Sequence, residues 1–255
     1  AKSRLGNVTE LVRSGDADFP VPLNALRHGS EVALDCILGI LQDLLDPHHQ
    51  GMFGMRAQRL LTLGLQAARH VMGERATIQS AVDVFQDKSF VTRVAETLRE
   101  QDPDLARQLD NEVASVSNDN FAELIGWLVS RMQPFLGSSY LSAALGTGED
   151  AVDVRSVMDE RGVLLVDLAS TQIGTAPAQL LGELWLIKHW DALAQRKNRR
   201  PHLLVVDECQ LFAAGTLPRL IAEGRKFGIG CVVAHQHMAQ LDGRLAEAVK
   251  ANASS

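Results

Sequence analysis

Apolar positions along the 255-residue chain change spacing at one point, near residue 150. Before it they recur every three or four residues. Val32, Leu34, Ile37, Leu38, Leu41, Leu44 and Leu45 predict a helix, with Ser30 as its N-cap and Pro47 as its stop. Residues 51–54 are a glycine-bounded hinge. A second helix is predicted over Arg56–Met72, where Leu60, Leu61, Leu63, Leu65, Ala67, Ala68 and Val71 are apolar. Thr77 caps a short helix from Ile78 to Phe85, and Ser89 opens one carrying Phe90, Val91, Val94 and Leu98. Pro103 sits in the first turn of a further helix with Leu105 and Leu109. The stretch Phe121–Phe135 aligns Leu124, Ile125, Leu128, Val129 and Met132 along one side. Nothing between 30 and 145 alternates with period two, so residues 30–149 read as an all-α domain and residues 1–29 as a lead-in loop.

From Asp150 the pattern becomes strand, helix, strand, helix, strand. Val163–Leu168, Leu203–Val206 and Gly230–Ala234 are short apolar runs. Between them, Ser170–Thr175 reads as a loop, Pro177 opens a long helix to Gln195, and Leu211–Gly224 is helical. Such alternation predicts a parallel α/β sheet with right-handed crossovers and strands buried on both faces. Each run ends on polar residues: Asp167, Asp207 with Glu208, and Gln236. Ligands collect beyond the carboxyl ends of such strands. Paired acids there suit a Walker B strand, in which the first acid organises Mg²⁺ and the second activates a water. An acidic helix cap after a strand is the plainer alternative.

Composition narrows the classes. With 46% hydrophobic and 22% charged residues the chain is an ordinary globular protein. A net charge of −6 gives no overall attraction to nucleic acid, so any contact with DNA needs a local basic surface. The turn Arg196–Arg200 is one candidate. The acids Glu96, Glu100, Asp102, Asp104, Asp110 and Glu112 form a solvated helix face or a docking surface for a basic partner. Cys36, Cys209 and Cys231 are far apart within apolar runs, which excludes a disulfide framework and predicts reduced thiols. His48–His49 and His235/His237 lack ligand spacing for a metal. The chain opens on Ala1 in polar sequence and stops at Ser255 without a closing element, as a segment of a longer protein would.

Three motifs then occur in order: Asp207-Glu208-Cys209-Gln210, Gly224-Arg225-Lys226-Phe227-Gly228, and Ala234-His235-Gln236 extending to Leu241. Together with Arg161–Leu168 they resemble the HerA/FtsK superfamily of DNA-pumping ATPases, closest to the TraG/TraD-like coupling proteins of conjugation and type IV secretion. The resemblance implies part of a RecA-like parallel sheet over 150–255, with the all-α region as an insertion into it. It implies ATP and Mg²⁺ as cofactors, a ring of six copies, and DNA held without sequence specificity. Relaxosome or secretion-channel proteins would be further partners. It places the protein in the cytoplasm, with any inner-membrane anchor outside this chain.

Roles follow on matching positions. The resemblance makes Asp207 the Mg²⁺ acid (through water), Glu208 the general base and Gln236 the sensor of the γ-phosphate. Arg225 becomes the arginine finger reaching a neighbouring copy's nucleotide, with Lys226 as its substitute. One departure is serious: G-x-x-x-x-G-K-[ST] occurs nowhere in the 255 residues. The phosphate cradle is therefore expected upstream, and this segment alone is expected to be inactive. A HerA-like repair or defence translocase, and a non-enzymatic module docking a relaxosome or secreted protein, are the alternatives.

Overall fold

A computed structural model describes residues 9–13, 18–28, 31–46, 55–85, 87–114, 117–196, 198–212, 215–237 and 241–252. The expected cap Ser30, the stop Pro47, the pair His48–His49, the hinge at 51–54, Lys197 and residues 238–240 lie outside them. The chain forms two compact units: Ala1–Val21 with Ala151–Ser255, and Pro22–Asp150.

The first element is strand β1, Thr9–Arg13, inside the stretch read as a loop. It is short and carries charged residues, which hides it from an apolar-run criterion. The chain then enters the helical unit: α1 Glu31–Leu45, α2 Met55–Met72, α3 Ile78–Asp83, α4 Lys88–Leu98, α5 Pro103–Ala114, α6 Asn118–Leu136 and α7 Ser139–Leu145. Helix α2 is central because its apolar residues wrap round two sides. Leu60, Leu61, Leu63, Leu65, Ala67 and Ala68 are all buried, and α2 meets α1, α3, α4 and α5. Thr77 caps α3 in a capping box, its hydroxyl accepting from the Ser80 amide at 3.0 Å while Ser80 Oγ accepts from the Thr77 amide at 2.7 Å. The cap of α4 is Asp87 rather than Ser89. Asp87 accepts from the Phe90 amide at 2.7 Å and from Ser89 Oγ at 2.6 Å. A carboxylate accepts more strongly than a hydroxyl, so the Asp two residues earlier takes the role.

One buried side chain closes this unit. Asn24 donates to the carbonyls of Ala76 (2.9 Å), Glu74 (3.2 Å) and Gly148 (3.3 Å), while its own amide donates to Asp150 Oδ1 at 2.8 Å. The entry and exit of the unit's chain are thus fastened at one point.

Back in the α/β unit come α8 Val154–Asp159, β2 Val163–Asp167, α9 Ser170–Ile173 and α10 Thr175–Gln195. They are followed by β3 His202–Val206, α11 Thr216–Glu223, β4 Ile229–Val233 and α12 Gly243–Asn252. The loop expected at Ser170–Thr175 thus holds one helical turn. Helix α10 is buried almost continuously from Ala178 to Leu193, against α8, α9 and α11. All pairing among the described residues is parallel, as the alternation requires. It falls into two ladders: β1 with β2 (Thr9↔Val163 to Arg13↔Asp167) and β3 with β4 (His202↔Ile229 to Val206↔Val233). β2 therefore pairs with the N-terminal segment and not with the next strand in sequence. Crossover helices leave the choice of neighbouring edge open, so order along the chain does not set order in a sheet.

Burial of the β3–β4 ladder is one-sided. Leu204 and Val206 are covered, but Leu203, Val205 and Val232 are 61%, 62% and 48% exposed. The expectation of strands buried on both faces is corrected: among the described residues, the helices cover a single face of that ladder. No helix among the described residues is long and apolar enough to cross a membrane.

Candidate functional site

Strand β3 delivers its two acids by stopping. Val206 is the last ladder residue, its carbonyl accepting from the Ala234 amide at 2.9 Å. Glu208 then adopts φ +50°, a left-handed conformation uncommon outside glycine, and reverses the chain. The Cys209 amide returns to the Ala234 carbonyl at 2.9 Å, which pins the turn against the end of β4. A 3-10 turn, Cys209–Phe212, follows, with Cys209 and Phe212 buried beneath it. Phe212 fits because Gly182 of α10 has no side chain: a Cβ there would stand 2.2 Å from the ring. Burial pushes the Cys209 thiol pKa up, so this thiol is protonated and inert.

The turn brings Glu208 and Gln236 together. Gln236 Nε2 donates to Glu208 Oε1 at 3.0 Å, and Gln210 Nε2 donates to Glu208 Oε2. Hydrogen bonds from Gln236 first, and Gln210 second, hold the Glu208 carboxyl below the usual glutamate range. It is an ionised acceptor at neutral pH. The Asp207–Gln210 motif by itself assigns Gln210 no role. Its place two residues after the acid was the available signal. Gln210 Oε1 and His235 Nδ1 are buried and without hydrogen-bond partners among the described residues. Buried polar atoms ordinarily find partners, so these two fit a site completed by a polar ligand or its waters.

Asp207 is exposed, and its Oδ1 accepts from the Glu208 amide at 2.9 Å. One open carboxylate fits Mg²⁺ bound mainly through water and phosphate oxygens. No group of three or more His, Cys, Asp or Glu able to hold a metal occurs among the described residues, so a protein-only metal cage does not fit. Asp167 is not part of this ladder. It ends β2 and accepts from the Ala169 amide at 3.0 Å, stabilising its own turn.

Arg225 and Lys226 lie elsewhere. Both sit in the 3-10 turn Gly224–Phe227 that precedes β4, whereas Gln236 follows it. A five-residue strand separates the two ends by roughly 16 Å. Neither cation can reach the Glu208 end of the same chain. Lys226 pairs with Glu223, which also holds Arg219 at 3.4 Å. Arg225 is exposed and makes no such contact among the described residues. The basic turn is also reduced: Arg196 is buried, with Nε donating to Asp159 at 3.0 Å and Nη2 to the Arg200 carbonyl at 2.9 Å. Arg199 and Arg200 stay exposed.

No family model matches the sequence, and no curated protein matches it. Solved structures do. The bacterial conjugative coupling protein TrwBdeltaN70 aligns in its unbound monoclinic form at TM-score 0.59 and 12% identity, over 97% of this chain and 56% of that one. Its trigonal form in complex with sulphate aligns at TM-score 0.54 and 15% identity, over 97% of this chain and 61% of the other. VirB4 of Thermoanaerobacter pseudethanolicus aligns at TM-score 0.48 and 17% identity, over 98% of this chain and 62% of the other. The chain thus spans less than two thirds of the length of the structures it matches. Over nearly all of its own length it has the fold of a bacterial conjugative coupling protein.

Proposed function

We propose that the α/β unit is the Walker B half of an ATPase core that drives DNA through a ring of identical subunits in conjugation or type IV secretion. One observation carries the reading: the 3.0 Å hydrogen bond from Gln236 to Glu208, made between the ends of adjacent parallel strands and beside Asp207. A lone acidic cap has no need of a glutamine from the next strand. In this reading Asp207 would hold Mg²⁺ through water, and the ion would offset the charge of the phosphates. The ionised Glu208 accepts the proton of the attacking water at a carboxylate oxygen. Gln236, tied to that carboxylate, transmits the state of the γ-phosphate into β4. Arg225 acts across a subunit boundary, with Lys226 as substitute, because its place in the chain excludes action in cis. A guanidinium in that role is worth about 10³-fold in rate.

The missing phosphate-binding loop makes the test two-part. Calorimetric titration of this 255-residue chain with Mg·ATP is expected to show no low-micromolar binding. The full reading frame is expected to hydrolyse ATP, and Glu208→Gln to lower kcat by about 10²-fold or more with nucleotide still bound. A reading frame without any phosphate-binding loop would sink the proposal.

A second reading, a docking module, has its own observation. The segment 22–150 has ten Lys/Arg against seventeen Asp/Glu, a net of −7. It also holds an open cleft of about 500 Å³ lined by Glu31, Asp102 and Asp104 together with Arg69 and His70, which lie 3.7 Å from Glu31 and 3.3 Å from Asp102, so the acidity belongs to the segment as a whole and not to the cleft. A basic partner protein would suit that segment.

A further inference from the structure

The charge left over lies at the opposite end of the β3–β4 ladder from Glu208. Outside the acidic helical segment the chain has fifteen Lys/Arg against fourteen Asp/Glu, close to balance. Several of those cations converge where β3 and β4 begin. The two strands start in register at His202↔Ile229, so the residues just before them, Arg199–Arg200 and Arg225–Lys226, arrive side by side. Three contacts fasten the two segments. Arg199 Nη1 donates to the Lys226 carbonyl at 3.3 Å, and the His202 amide donates to the Gly228 carbonyl at 3.0 Å. Gly228, at φ +81°, lies so close that a Cβ would stand 2.9 Å from the Arg199 carbonyl. The acids nearby are already engaged: Asp159 by the buried Arg196, and Glu223 by Arg219 and Lys226. Arg199, Arg200, Arg225 and Lys226 are all exposed.

We infer that Arg199, Arg200, Arg225 and Lys226 form one phosphate-binding surface at the amino end of the β3–β4 ladder. The two segments are held together mainly through backbone atoms: Arg199 and Arg200 each give one guanidinium nitrogen to a carbonyl (Lys226 at 3.3 Å, Asp159 at 3.5 Å), Lys226 is shared with Glu223, and all four side chains remain exposed to an incoming anion. The two arginines of the first segment suit forked hydrogen bonds to phosphate oxygens. The phosphate can come from a polynucleotide backbone or from the triphosphate of a nucleotide held by a neighbouring copy. The nucleotide source rests on the function proposed above, whereas the polynucleotide source does not, because the surface lies a strand's length from Glu208.

The test uses this chain, a fluorescein-labelled oligothymidylate of about 20 nucleotides, and tripolyphosphate as competitor, at about 50 mM salt. Binding is expected to weaken about tenfold or more in Arg199→Glu/Arg200→Glu, and likewise in Arg225→Glu/Lys226→Glu. The control Arg93→Glu/Arg107→Glu, on the helical unit, carries the same charge change and should leave affinity within about twofold. Arg199→Lys/Arg200→Lys keeps the charge and should retain most of the affinity, and circular dichroism of each variant checks its fold. Affinity that falls steeply with salt, at about 0.7 per phosphate contacted, with tripolyphosphate competing only at millimolar levels, marks the backbone source. Competition by tripolyphosphate at the oligonucleotide's own dissociation constant marks the nucleotide source. The inference fails if neither phosphate source binds, if reversal of one segment is silent, or if the control pair weakens binding equally.

Discussion

At the scale of single residues, the chain separates groups that hold a proton state for chemistry from groups that hold one for stability. Glu208 is half-buried and kept ionised by two amide donors, which fix its carboxylate in place as an acceptor at neutral pH. His189 is the opposite case. It is fully buried in α10, Nδ1 lies 2.7 Å from the Trp185 carbonyl, and burial lowers its pKa to about 4. The short contact assigns the proton to Nδ1. His202, whose ring centroid is 6.3 Å away, is lowered too, by burial first and by Arg196 second. Both rings are neutral in the fold, whereas an unfolded chain protonates them near pH 6.5. The unfolded state therefore binds more protons between about pH 6.5 and pH 4. The contribution of His189, about 3 kcal/mol, is fully present above pH 6.5 and drains away as the pH falls towards 4. Urea unfolding between pH 7 and pH 4.5 should show this loss, and His189→Gln should flatten the profile. A profile unchanged by that substitution would assign the acid sensitivity to other groups. The letter H at position 189 shows nothing of this, because burial in the folded chain sets the proton state.

Among elements, α10 has the largest influence on the site without contributing a residue to it. Its length and apolar content were readable from Leu180 through Leu193, but its contact with the turn after Glu208 was not. That contact depends on Gly182, where Phe212 occupies the volume a side chain would take. Gly182→Ala is expected to destabilise the chain by about 1–3 kcal/mol despite the gain in helix propensity, since helix and turn must separate. Phe212→Leu in that background should recover part of the loss. A Gly182→Ala chain as stable as the parent in urea would show that the turn is not seated on α10. The strands teach a related lesson. Val163–Asp167, His202–Val206 and Ile229–Val233 each fall within a residue or so of the apolar runs that announced them. β1 was missed because its charged residues break the run, and partner β2, not local pattern, defines it as a strand.

On the scale of the whole molecule, the chain leaves the α/β unit at Val21 and returns to it at Ala151. The 22–150 segment has its own buried core, and Asn24 fastens its two ends through Ala76, Gly148 and Asp150. Expressed alone, residues 22–150 should fold, with a helical circular-dichroism spectrum and one cooperative thermal transition. A featureless melt would show that this core needs the rest of the chain. How far the sequence reached follows from range. Helical periodicity, the change of character near residue 150, and the apolar runs ending in acids are local patterns, and local sterics and burial act on neighbours a few residues apart. By itself the sequence thus determined most of the elements and nominated Asp207, Glu208, Gln236 and Arg225. The tertiary structure decided which strands pair, and that Gln236 reaches Glu208 while Arg225 is carried to the far end. It also buried Arg196 and left Arg199 and Arg200 exposed beside Lys226. Those outcomes depend on contacts between residues tens of positions apart, set by which faces close together when the chain collapses, and no local pattern encodes them.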